Sequence, residues 1–236
     1  MGIVRASRVV DAVTSAAGLA GAVMLGFAVI LGDTADQVSN PNPTQTAEQL
    51  AKALEVNRDD GRLGAYLLLL AALLLLLFIG RLAGYLRQQG TEGDWMSLTV
   101  LAGVGAVFAA VVLVDAGFAF AGSELDTFGP DPAVAKTLFL WGWNSALLYS
   151  APLTAIAVGT TVAAFAQALF PRWTLWVSSV LVVVMLVAFL LGVPGMATGV
   201  GLLWLTLMSI LLTVTMLVRG SSDPVSSSVA VCDQDE

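Results

Sequence analysis

The sequence predicts an all-α protein, a polytopic membrane helix bundle. Six transmembrane helices, both termini on the cytoplasmic side and one short outer amphipathic helix are expected. Three observations predict it. Of 236 residues, 58% are hydrophobic and 11% charged, where a soluble domain carries about 25% charged residues. The mean hydropathy of +0.88 makes lipid the main solvent. Six apolar runs, 12–32, 63–83, 97–121, 143–168, 173–193 and 196–218, reach the ~20 residues that a helix needs to cross a bilayer.

The first run follows Arg5 and Arg8, as a secretory leader would. Its 21 apolar-rich residues exceed the about 7–15 of a signal core, so it reads as a retained helix. The start MGIVRAS places Ala6 where a myristoylation signal needs Ser or Thr, and that reading is rejected. In the outer loop, 33–62, the turn-rich NPNPTQ precedes Thr46 and Gln49, which form a capping box. Ala47, Leu50, Ala51 and Leu54 then share one helical face, and Glu48 stands four residues before Lys52. This spacing predicts a short amphipathic helix at about 46–56 on the outer surface. Asp59-Asp60-Gly61 reads as a turn into the second span.

Asp131-Pro132 marks the start of the fourth helix, with Asp as N-cap and Pro at the first helical position. An unbroken helix from there to Gln167 is ~54 Å long, against a hydrocarbon core of ~30 Å. The excess tilts, lies along the interface or bends, with Pro152 the natural bend. The fifth and sixth spans complete one transmembrane domain over 1–219. The polar, serine-rich stretch 220–236 lacks a usable core and is expected to be a disordered cytoplasmic tail.

Loop charge sets the orientation. With the N-terminus inside, the cytoplasmic side holds Arg5, Arg8, Arg81, Arg87, Arg172 and Arg219, and the outer side Lys52, Arg58, Arg62 and Lys136. A multi-pass protein of the cell membrane with both termini inside is the reading.

Composition also narrows the chemistry. A net charge of −7 and a pI near 4.4 disfavour a nucleic-acid partner, which needs clustered cations. Histidine is absent, which removes His-ligated haem, histidine zinc sites and Ser-His or Cys-His nucleophile pairs. The single cysteine, Cys232, lies in the tail, so no intrachain disulfide forms. No catalytic set, cofactor or metal ligand set emerges. A Schiff-base lysine would have to lie within a span, and Lys52 and Lys136 do not. A porter built from two matching halves leaves no repeat between spans 1–3 and 4–6.

One acidic residue falls inside a span. Asp115, in VVLVDAGFAF, lies ~9 Å past the middle of the third helix. A charge there costs at least ~2.5 kcal/mol, and such acids face a partner or a water-filled cavity. The stretch WGWNSALLYSAP, 141–152, reaches a similar depth on the next helix. Trp141 and Trp143 suit an aromatic belt, as do Trp95, Trp173 and Trp176 at the cytoplasmic ends. Residues two apart on a helix are rotated by about 200°. The face of Trp141, Asn144 and Ser145, not Trp143, is therefore expected to meet the third span. The candidate outer-leaflet polar site is Asp115, Asn144, Trp141, Ser145 and Trp204. Either Asp115 is capped by Asn144 or Lys136, or reaches interfacial water, and only fixes packing, or the group takes a small polar ligand, a lipid headgroup or a proton.

Small residues repeat every four positions at Thr14, Gly18, Ala22 and Gly26, at Ala102, Ala106 and Ala110, and at Gly80 and Gly84. Internal close packing of helices is the expectation, ahead of dimerisation.

The segments LFPRWTLWVSSVLVVVMLVAFLLGVPGMATGVGLLW, with Pro171, Arg172, Trp173 and Trp176, and GRLGAYLLLLAALLLLLFIGRLAGYLR resemble a broad group of six-helix bacterial integral membrane proteins of unknown function. The resemblance covers under a third of the chain. It implies a six-helix bundle and supplies no activity, ligand or catalytic residue.

The leading functional expectation is a non-catalytic membrane protein, binding a small ligand or lipid or serving as accessory subunit of a membrane assembly. Its partners are then membrane lipids or other membrane subunits. The alternative is a small transporter or proton-coupled carrier using Asp115. An enzyme is the least supported class. The orientation has a direct check: an impermeant thiol reagent added to intact cells should modify cysteines engineered in 33–60 and 123–131 and spare Cys232. Labelling of Cys232 from outside would reverse the topology.

Overall fold

The computed structural model describes residues 2–39, 58–89, 95–124, 131–166 and 170–221, with Thr46 and Val56. Six helices follow in order: α1 (Gly2–Ser39), α2 (Arg58–Gln89), α3 (Trp95–Ser123), α4 (Pro132–Ala166), α5 (Arg172–Leu190) and α6 (Pro194–Ser221). The described residues contain no strand. All six helices carry a window long and apolar enough to cross a membrane, so the chain is an all-α, multi-pass membrane protein. The outer helix expected at about 46–56 lies outside the described residues except for its two ends, as does the tail beyond 221.

Local signals set the helix ends. Asp131 Oδ1 accepts the Ala133 N–H at 2.8 Å, the N-cap bond expected at the start of α4. The turn between α5 and α6 closes with Val193 N–H on the Ala188 carbonyl at 2.9 Å and Gly192 N–H on that of Phe189 at 3.1 Å. Gly192 has φ +72°, the left-handed conformation this paired closure needs, and Pro194 opens α6 at once. One expectation is corrected here. Asp59-Asp60-Gly61 is not a turn, because α2 already begins at Arg58. The two acids occupy its first turn, where they complement the helix dipole. Pro152 lies within α4, which continues through it.

The packing is a ring. α1 packs on α2, α2 on α3, α3 on α4, α4 on α6 and α6 back on α1, while α5 lies against α4 and α6. The core along these seams is filled by Leu75, Phe78, Phe108, Tyr149, Leu153 and Trp204, all buried. Glycines bring the helices close. A methyl group at Gly18 would stand 2.5 Å from the Phe78 ring, one at Gly105 2.4 Å from Ile79, and one at Gly201 2.3 Å from Leu153. The α1 stripe thus faces inward, with Ala22 buried and Gly26 near Leu202.

The other two stripes do not meet the packing expectation. Ala102, Ala106 and Ala110 are exposed, and Gly80 and Gly84 have nothing within 4 Å of a built Cβ. On α3 the close approach is made by Gly105, one position out of the alanine register. Spacing of four gives a stripe but not which way it points.

These contacts yield a test. Gly18→Ala presses a methyl into the fully buried Phe78 ring, which must shift to admit it, and overpacking of this kind costs about 1–3 kcal/mol. Thermal unfolding in detergent should show a lower midpoint for it. Gly199→Ala, with nothing within 4 Å, should keep or slightly raise the wild-type midpoint. Equal midpoints for both would refute the α1–α2 seam.

Candidate functional site

The site forms where α3 and α4 run antiparallel. On α3, Phe108, Val112 and Asp115 follow the i, i+4, i+7 spacing of one helical face, and all three are buried, Asp115 at 9% exposure. Asp115 stands eight residues, or ~12 Å, before the helix ends at Ser123. Its carboxylate is held by two donors from α4. The Trp141 indole N–H donates to Oδ1 at 3.1 Å, and the Tyr149 hydroxyl donates to Oδ2.

Aromatic rings fix both donors. Phe118 stacks on Trp141 with centroids 4.4 Å apart and planes at 25°, and Phe108 meets Tyr149 edge-on at 6.4 Å and 84°. Trp141 and Phe118 are half-buried, whereas Tyr149 is fully enclosed. The node is therefore closed on its Tyr149 side and partly open on its Trp141 side.

The sequence-selected residues are distributed as follows. Asp115 and Trp141 are bonded to each other. Lys136 is exposed, and no Lys or Arg among the described residues pairs with Asp115. The side chains of Trp143, Asn144 and Ser145 lie outside the described residues. Trp204 does not join Asp115; its indole N–H donates to Ser178 Oγ at 2.8 Å. Ser178 in turn shares a 2.7 Å bond with Thr161. Ser178 lies in the first half of α5 and Thr161 near the end of α4, so this trio is a polar group separate from Asp115.

Sequence reasoning passed over Tyr149, although it stands in the quoted stretch. Its Cα lies ~12 Å deeper than that of Trp141, a separation that argues against a shared partner. Helical side chains, however, lean back towards the N-terminus of their helix, and here that direction carries a long phenol up to the level of Asp115.

A second polar group was also missed. Arg62 Nε donates to Glu124 Oε1 at 2.7 Å, its Nη2 bonds the same oxygen, and Arg58 Nη2 reaches Oε2 at 3.3 Å. Arg58 and Arg62 are one turn apart on α2, and together they clamp the end of α3. The sequence reading assigned them to a loop.

No known protein family matches the chain, nor does any curated protein or solved structure.

The direct bond between Tyr149 and Asp115 predicts non-additivity. Tyr149→Phe should lower unfolding stability in detergent by about 0.6–1.7 kcal/mol, the range for an interhelical hydrogen bond in a membrane protein. In an Asp115→Leu background the same change should cost much less. Equal costs in both backgrounds would disprove the coupling.

Proposed function

We propose that this chain is a non-catalytic membrane protein that binds a small polar ligand or a lipid headgroup at the Asp115–Trp141–Tyr149 node. It acts alone or as the ligand-holding subunit of a larger membrane assembly. One observation carries the reading: the carboxylate inside a span is held by two neutral donors and has no basic side chain beside it among the described residues. Two neutral hydrogen bonds offset a full charge in lipid only in part, so a bound cationic partner stabilises the ionised carboxylate over the protonated acid. The half-buried Trp141–Phe118 pair offers an approach from the membrane side. The cell membrane, with the node in its outer half, is the location that the loop charges favour.

A carrier must expose the carboxylate to both sides in turn. Phe78, Phe108, Tyr149 and Leu153, each at most 1% exposed, fill the interior, and this favours a binder. Native mass spectrometry of the gently extracted protein should find lipid or small-molecule adducts that Asp115→Asn loses, and liposomes should show no saturable uptake. Saturable, Asp115-dependent flux would replace the binder with a carrier. Adducts unchanged in Asp115→Asn would remove the node from function.

A further inference from the structure

Building on the binding reading, we propose that the group taken at this node is an organic ammonium. The donors already present restrict the choice. A carboxylate offers about four lone-pair directions, and here Trp141 and Tyr149 occupy one on each oxygen. An incoming hydrogen-bond acceptor, such as a phosphate or a carboxylate, meets a like charge. A cation meets an uncompensated one. A hard metal ion needs some six oxygen ligands. The nearest neighbours here are instead an N–H donor, a phenol that donates, and ring faces. Among the described residues no three acidic, His or Cys side chains gather to hold a metal.

Ring faces suit an organic cation. Trp141 and Phe118 stack on each other at 4.4 Å, which leaves the outer face of each ring turned away from the pair. Both are half-buried, and they border the carboxylate through the Trp141 N–H. A cation within about 6 Å of such a face is attracted by the ring quadrupole, most strongly for Trp. Carboxylate and indole side by side therefore recognise a charge wrapped in carbon, either a free amine or quaternary ammonium or the same group on a lipid head.

The full chain in phosphatidylglycerol nanodiscs, which lack any ammonium headgroup, tests this. Choline and ethanolamine should change tryptophan fluorescence saturably, and the neutral isostere 3,3-dimethylbutan-1-ol should not. Asp115→Asn should weaken the response at least tenfold. Phe118→Leu, which spares the carboxylate and its donors, should weaken it by about 2- to 30-fold, the range of one cation–π contact. A separate arm replaces part of the phosphatidylglycerol with phosphatidylethanolamine. Competition of that lipid with choline identifies the headgroup as a source, and its absence leaves the free cation; both support the ammonium. Equal response to the neutral alcohol, full response in folded Asp115→Asn, or a response to sodium alone overturns the proposal. If ammonium fails while Asp115-dependent adducts persist, only the ligand class falls; if both fail, the binding reading falls with it.

Discussion

A polar atom inside lipid has no water to turn to, so the protein itself must satisfy it. The bundle is organised around that constraint. Asp115 ties α3 to α4 through Trp141 and Tyr149. Thr161, Ser178 and Trp204 tie α4, α5 and α6. Ser209 ties α6 to α1, accepting the Leu19 N–H at 2.9 Å and donating to the Ser15 carbonyl at 2.5 Å. At the end of the bundle, Arg58 and Arg62 tie α2 to α3 through Glu124. The remaining seam, α1 on α2, is marked by glycine contacts with Phe78 and Leu75. Most of the ring's seams thus carry a polar link of their own.

Magnitudes separate what these links do from what holds the bundle together. Interhelical hydrogen bonds in a membrane average ~0.6 kcal/mol each, so a handful of them contributes little beside close packing along whole helices. A slip in register is another matter. It would turn the Asp115 carboxylate towards lipid at a cost of ~2.5 kcal/mol or more. Packing holds the helices together, and the polar nodes choose their register.

The same contrast explains what was legible in the sequence. Six spans, the Asp131 cap and Asp115 stand out because apolar length, an N-cap dipeptide and a lone intramembrane acid are local signals. Facing is not a local signal in these helices. Leu69, Leu73 and Leu77 of α2 are exposed while Leu68, Leu75 and Leu82 are buried, and no composition rule distinguishes the two sets when the solvent is itself apolar. For that reason the spacing of the α3 alanines does not reveal that they face outward, and the depth of Trp204 does not reveal that its N–H turns to Ser178 rather than to Asp115. Tyr149 is not legible in the same way, because depth along the backbone differs from depth of the functional atom, a gap that grows with side-chain length.

Ser209 has a consequence for how the molecule is made. Its hydroxyl stands between Ser15 and Leu19 of α1, the two groups that an ideal helix joins directly. Of these six helices α1 is made before the others, and it is completed by one made nearly two hundred residues later. Until α6 arrives, α1 has a bare flank along Ser15, Leu19 and Gly26 facing lipid or the insertion machinery. The ring cannot close helix by helix as it is synthesised. Its final step joins the two ends of the six-helix order, and quality control in the membrane has a distinct state to recognise: five helices inserted and the first still waiting for its neighbour.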